Sequence, residues 1–381
     1  MRIAYITDQV LPRTATDTRQ MMAMSAAMGR AGAVVDLIVP ERSDRAVPDV
    51  EALSSWYEVT PSFRLTPVRT LYPSIRGLEK IAQGIVAPET PAAHRADLVY
   101  TRTLPILLGA LQAGRPVVYE SYRPWPDQKP ISAPIFRWIG RQKNFVGAVL
   151  HSHLARESYV RAGVPDERLL TAWNGYDPGQ LEPALTAEEA RRALGLEDEP
   201  TVVYTGRVSM RKGLGLVLDM ARKLPDARFV IVGSENEHGA VERQAATLPN
   251  VRVAPWGPIS ETIPYLYAAD VLVIPPSSDP LRKTGNTVLP IKTFLYMAAG
   301  RAILAPGTPD LIELLEDGRN AALVQPDDAS SSTRVLRDLL DDPGKRQRLA
   351  AEALRDSREL TWDRRAERVL GFIRSRLGRI G

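Results

Sequence analysis

A chain of 381 residues exceeds what one ordinary hydrophobic core fills, so two domains are the expectation. Its 44% hydrophobic and 25% charged residues exclude a disordered chain, and the lack of cysteine excludes disulfides, thiolate metal sites and cysteine nucleophiles. No apolar run approaches bilayer-spanning length and the N-terminus lacks the apolar core of a signal peptide, which favours a cytoplasmic protein. The net charge of +4 resides in the first half: residues 1–180 hold 21 Lys+Arg against 17 Asp+Glu, and the remainder balances at 28 against 28. A basic face there suits anionic lipid, or a lipid-linked phosphate, with the protein peripheral at the inner face of a membrane. A solvated arginine-rich surface is the plainer alternative. Dispersed basic residues without a recognition motif speak against nucleic acid.

Short apolar runs alternate with helical stretches along the whole chain, the pattern of parallel sheets covered by helices on both faces. In the first half the strands fall at 2–7, 33–39, 97–101, 115–120 and 146–150. Between the first two, Met21, Met24 and Met28 recur at helical spacing behind a cap at Asp17, a core-packing stripe that Gly32 ends. The proline-rich segment 124–134 reads as an ordered loop. The pattern then restarts. Thr186 and Glu189 have capping-box spacing ahead of a short helix that stops at Gly195. Strands follow at 201–205, 228–232, 251–253, 271–275, 302–305 and 321–324. Helices fall at 212–223, 238–247, 261–268, 290–299, 309–316 and 329–340. The expected architecture is α/β, with two facing Rossmann-like, doubly wound domains. They span 1–178 (with 362–381 returning to it) and 184–361, and ligands are sought in a cleft between them at the carboxyl ends of strands.

The stretch 202–215, VVYTGRVSMRKGLG, is the richest in chemistry. Gly206 permits a tight turn after a strand, and Lys212 stands at the start of the next helix, where N–H groups are unpaired. Arg207 and Lys212 can therefore converge on one anion, and a diphosphate needs that combination of charge and directed donors. The same pair is also compatible with surface charge capping a turn. Neither a Walker loop nor a dinucleotide fingerprint is present. Gly285 and Asn286 precede a proline-started helix, a second anion cradle through backbone N–H groups. Trp256 either flanks a base or packs. His151 and His153 alternate, but no third ligand has metal-site spacing, so a structural role is read for both. The helix 343–357 and the C-terminal arginines Arg364 to Arg379 read as solvated faces.

These residues resemble family 4 glycosyltransferases of the GT-B fold. The pieces run in family order: 149–164 and 168–175, VVYTGRVSMRKGLG, 263–276, 290–307 (PIKTFLYMAAGRAILAPG) and the closing segment from Trp362. The resemblance implies a retaining, metal-independent hexosyltransferase with no cofactor beyond a nucleoside diphosphate sugar as co-substrate. It implies that Arg207 and Lys212 hold the donor diphosphate and that Gly206, Gly285, Asn286, Thr287 and Val288 help to cradle it. Trp256 then lies near the base. The acceptor is a saccharide, a lipid-linked intermediate or a small molecule, with Arg13, Thr14, Thr16 and Asp17 on its side, and Tyr122 joins Thr287 as a catalytic candidate. The family's paired glutamates are replaced here by Thr287 and Leu295, its strand-end histidine by Tyr122, and its first glycine-rich loop by Arg13–Asp17. A catalytically inactive binding or scaffolding relative, or a sugar-nucleotide epimerase or hydrolase, are the alternatives that these departures leave.

Overall fold

The computed structural model describes residues 1–43, 46–72, 75–284 and 289–378. Runs such as Ile3–Ile6, apolar at every position, form strands buried on both faces, which parallel sheets require. In chain order the first elements are β1 (Arg2–Ile6), α1 (Thr16–Arg30), β2 (Val34–Glu41), α2 (Val50–Tyr57), β3 (Arg64–Arg69) and α3 (Arg76–Val86). There follow α4 (Pro91–His94), β4 (Leu98–Thr101), α5 (Leu104–Gln112), β5 (Val117–Ser121), α6 (Trp125–Gln128) and α7 (Ala133–Ile139). This half closes with β6 (Phe145–Leu150), α8 (His153–Arg161) and β7 (Leu169–Thr171).

The second half runs α9 (Ala187–Leu194), β8 (Thr201–Thr205), α10 (Leu214–Lys223), β9 (Arg228–Ser234), α11 (Ala240–Ala245), β10 (Val251–Pro255) and α12 (Ile259–Ala268). It continues with β11 (Val271–Val273), α13 (Asp279–Thr284), α14 (Lys292–Ala298), β12 (Ala302–Pro306) and β13 (Ala322–Val324). The chain ends in α15 (Ala329–Asp341), α16 (Pro343–Ser357) and α17 (Trp362–Leu377).

Two compact units result, Met1–Asn174 with Trp362–Gly381, and Gly175–Thr361. The first holds a seven-stranded parallel sheet ordered β3-β2-β1-β4-β5-β6-β7. The second holds a six-stranded parallel sheet ordered β10-β9-β8-β11-β12-β13. In the first unit, α1, α2 and α17 cover one face of the sheet, and α5, α7 and α8 cover the other. Met21, Met24 and Met28 are all buried in the first of these cores. Helix α17 returns through Trp362, Ala366, Val369, Leu370 and Ile373, a stripe at helical spacing that packs with α1. The Thr186–Glu189 capping box forms, and Gly195 takes the left-handed conformation at φ 62°.

Several local expectations need correction. Asp17 does not cap α1: the helix starts at Thr16 behind Ala15, and the Asp17 carboxylate accepts from the N–H of Thr18. Residues 124–134 are not a loop but helix α6, a short 3-10 turn and the start of α7, because their prolines fall at first-turn positions that helices tolerate. Residues 309–316 contain only a 3-10 turn, Leu311–Glu313. Strands β3 and β7 were not expected at all. Among the described residues no helix is long and apolar enough to cross a membrane.

Candidate functional site

In the second unit the end of β8 is locked from three sides. The Tyr296 hydroxyl of α14 accepts from the Thr205 N–H at 2.8 Å, the Gly206 N–H donates to Val232 O at 2.9 Å, and the Tyr204 hydroxyl donates to Arg207 O at 2.9 Å. Gly206 has φ 124°, which only glycine adopts without strain, and a side chain there would meet the Lys292 ammonium at 3.0 Å. The chain then makes a 3-10 turn over Met210–Lys212, with the Ser209 side chain accepting from the Arg211 N–H. Gly213, at φ 79°, passes against Ser277 and leads into α10. Lys212 therefore does not open α10, where the sequence reading places it; it ends the 3-10 turn two residues before Leu214.

Three cations meet around this turn. Arg207 and Lys212 are exposed, and Lys292, the first residue of α14, is half-buried with its ammonium 3.6 Å from the centre of the Tyr204 ring. Desolvation, and then the Arg207 charge, lower the Lys212 ammonium below its ordinary value. Burial, and then the Lys212 charge, hold Lys292 well below its own. Among the described residues no carboxylate pairs with any of the three. Like charges gathered without a counter-charge are costly, and a bound polyanion relieves that cost. Lys292 was missed from the sequence. Its signal is a lone lysine opening an otherwise apolar helix, KTFLYMA, opposite a strand end.

The other expected donor-side residues are not all drawn in. Gly285, Asn286, Thr287 and Val288 lie outside the described residues. Trp256 stands 40% exposed just past the edge strand β10, its N–H donating to Ser234 O at 2.8 Å. Leu295 sits half-buried on α14, one turn beyond Lys292.

In the first unit, Arg13, Thr14 and Thr16 are exposed and Asp17 half-buried in the segment after β1. Arg13 donates to the Gln9 side chain at 2.7 Å, and its backbone N–H donates to the Tyr57 hydroxyl at 2.9 Å. Tyr122 follows β5, half-buried, and its hydroxyl accepts from Arg123 Nε at 3.1 Å. All of these belong to the carboxyl edge of the first sheet. Beneath them lies a buried network that was not foreseen. Glu120 Oε1 accepts from His151 Nε2 at 2.6 Å and from Arg365 Nη2 at 2.8 Å, and Tyr5 donates to Oε2 at 3.4 Å. Burial alone would raise the Glu120 carboxyl; Arg365, Arg102 and the His151 hydrogen bond instead hold it well below the ordinary carboxylate value. Burial pushes His151 down to about 4, against the opposing pull of Glu120. A neutral His151 thus donates from Nε2 to an ionised Glu120.

This network corrects the reading of the C-terminal arginines as solvated. Arg365 and Arg376 are buried, and Arg365 also donates to Trp173 O at 2.9 Å, which ties α17 to the sheet. His153 stacks edge-on against Trp173 at 5.4 Å between ring centres. No group of three or more His, Asp or Glu suited to a metal ion occurs among the described residues.

Residues 199–342 match the family model described as Glycosyl transferases group 1. The chain is 25% identical over 288 residues to the sulfoquinovosyl transferase SQD2 of Arabidopsis thaliana, covering 71% of this chain and 55% of that protein. It is 30% identical over 250 residues to the alpha-D-kanosaminyltransferase of Streptomyces kanamyceticus, covering 62% of each. The chain thus spans less than two thirds of the length of these relatives. Among solved structures, Anabaena Alr3699/HepE in complex with UDP-glucose superposes with a TM-score of 0.74 at 17% identity, over 98% of this chain and all of that one. This likeness shows the fold: two Rossmann-like parallel sheets of the GT-B architecture.

Proposed function

We propose, from the premise that residues 199–342 carry a glycosyl transferases group 1 domain, that the chain is a glycosyltransferase using a nucleoside diphosphate sugar. The observation that carries the proposal is the group of three cations at the end of β8 that have no carboxylate partner among the described residues. Arg207, Lys212 and Lys292 hold the donor diphosphate, and the backbone of Gly285–Val288 and the side chain of Trp256 complete the donor site. The match to relatives named as sugar transferases supports sugar transfer as the use of that site.

The reaction is a retaining transfer without a metal. The charge that develops on the leaving diphosphate is met by the guanidinium and the two ammonium groups, which do for it what a divalent ion does elsewhere. The leaving phosphate takes the acceptor's proton, so the protein needs no dedicated base. Thr287 and Tyr122 position the reacting groups, and Arg13, Thr14, Thr16 and Asp17 bind the acceptor, which is a saccharide, a lipid-linked intermediate or a small molecule. The protein acts in the cytoplasm.

Isothermal calorimetry with a panel of nucleoside diphosphates tests the donor site. Arg207→Ala and Lys212→Ala are each expected to weaken binding by about 1.5–3 kcal/mol, the range for a hydrogen bond to a charged group. Unchanged affinity in both variants overturns the reading. A second reading is favoured by one observation, the apolar Leu295 where the family places a ribose-binding glutamate: a binding subunit that holds nucleotide without turnover. Release of nucleoside diphosphate with an acceptor panel separates the two.

A further inference from the structure

Helix α3 of the first unit is built inside out. Its buried side carries Glu79, in a bidentate pair with Arg42 at 2.9 and 2.6 Å, and Gln83. Its exposed side carries Leu78, Ile81 and Ile85, continuing from Leu71, Tyr72 and Ile75 just before it. Ile75, Leu78, Ile81 and Ile85 fall on an arc of about 120° of the helix, one continuous apolar stripe. Ile81 is 55% exposed and Ile85 59%. The inward side needs no large apolar residues because α3 meets α5 backbone to backbone: a side chain at Gly84 would strike Pro105 O at 2.6 Å, and one at Gly109 would strike Gly84 O. The apolar residues that a helix ordinarily buries are turned to solvent.

A second apolar stripe lies on the same face of the sheet. Ile131, 84% exposed, precedes α7, and Ile135 and Trp138 follow it at helical spacing. Helices α5 and α7 share one core on that face, and α3 packs on α5. Basic sequence without acids leads into the first stripe and surrounds the second, and Glu79, the one acid within the first, is turned inward to Arg42. Residues 59–78 contain Arg64, Arg69 and Arg76 with no Asp or Glu. Residues 128–156 contain Lys129, Arg137, Arg141, Lys143 and Arg156, again with no Asp or Glu, and of these Arg156 pairs with Asp166 at 2.6 Å. The first unit as a whole holds 27 Lys+Arg against 18 Asp+Glu, whereas the second holds 22 against 27.

We infer that this face of the first unit, α3 and α7 with Lys129, Arg137, Arg141 and Lys143 beside α7, docks on an anionic bilayer. Scattered exposed apolar residues need no explanation, but two contiguous stripes on one face do. An amphipathic helix lying flat in the interface places Ile, Leu and Trp among the acyl chains while basic groups meet anionic headgroups. The charge favours this occupant: a second copy docked two-fold through the same face would set like charges against each other. Docking does not rest on the donor-site reading, since it uses none of the second unit's residues.

The test is co-sedimentation of the full chain with vesicles of phosphatidylcholine alone and of phosphatidylcholine mixed with phosphatidylglycerol. Binding to the mixed vesicles, weak binding to the neutral ones, and weakening at high salt are expected. Ile81→Asp with Ile85→Asp, and separately Arg141→Glu with Lys143→Glu, are each expected to lower the partition coefficient about tenfold or more. Both pairs are exposed, so the thermal midpoint and nucleotide affinity are expected to stay at the values of the unaltered protein. No sedimentation with the anionic vesicles overturns the inference, as does sedimentation that neither pair of substitutions changes. A self-associating species in light scattering that Ile81→Asp disperses, with no vesicle binding, assigns the face to a second copy instead.

Discussion

Each unit gathers charged side chains beneath or at the carboxyl edge of its parallel sheet, and the two gatherings differ in balance. In the first unit Glu120 is enclosed by Arg365, Arg102 and His151, fully buried, with its oxygens hydrogen-bonded. In the second, Arg207, Lys212 and Lys292 stand together with no carboxylate partner among the described residues, and burial with mutual repulsion lowers both lysines. A network that satisfies itself holds the fold together. A set of like charges that does not is matched to something that arrives from solution.

The sharpest way to break this comparison is to remove the centre of the balanced network. Glu120→Ala leaves the buried Arg365 guanidinium without its carboxylate and is expected to cost about 3–5 kcal/mol in denaturant unfolding. Nucleotide affinity of the folded fraction should stay unchanged. Acid should act on the same network. His151, pushed down to about 4, stays neutral in the folded state, whereas in the unfolded chain it takes up a proton near its ordinary 6.5. Stability is then lost as pH falls from about 6.5 towards 4, by up to about 3 kcal/mol. His151→Gln should flatten the histidine's part of that pH profile, and a slope unchanged in the variant would remove His151 from the account.

The unbalanced cluster should respond in the opposite sense. Lys292→Met removes an uncompensated ammonium, so it is expected to raise stability by about 1 kcal/mol, about 2–4 °C in the thermal midpoint of a unit of this size, while weakening diphosphate binding. A loss of stability with unchanged binding would make Lys292 a structural residue. A bound diphosphate should also raise the lowered Lys292 towards its ordinary value. Between those two values binding takes up a proton, measurable by calorimetry in buffers of different ionisation enthalpy, and Lys292→Met should abolish most of that uptake. Arg207→Ala and Lys212→Ala, both at exposed positions, should shift stability by no more than about 0.5 kcal/mol.

Both doubly wound sheets were legible in the sequence because strands buried on both faces, such as Ile3–Ile6 and Val202–Thr205, read as continuous apolar runs. Strand β3 was not, since RLTPVR is half-exposed and interrupted by Pro67. Strand β7 has only three residues. The Gly206–Gly213 segment was legible as an anion site because its glycine and cations lie within eight positions. Lys292 joins it from 80 residues further on, and Arg365 reaches Glu120 across 245; no local pattern reports such pairings. The trace that Arg365 leaves is an arginine on the apolar stripe of α17, beside Trp362, Ala366 and Val369. The outward-facing apolar residues of α3 show the converse. No helix was read there, and the side that faces the protein is decided by Gly84 and Gly109 at the contact with α5.

The most direct test of the central claim compares a nucleoside diphosphate with its monophosphate, titrated calorimetrically into the unaltered protein and into Arg207→Ala, Lys212→Ala and Lys292→Met. At least one diphosphate is expected to bind about tenfold or more tighter than its monophosphate, and each substitution should erase much of that preference. A preference that survives all three substitutions would contradict the assignment of these cations to the donor diphosphate, as would the failure of every diphosphate to bind.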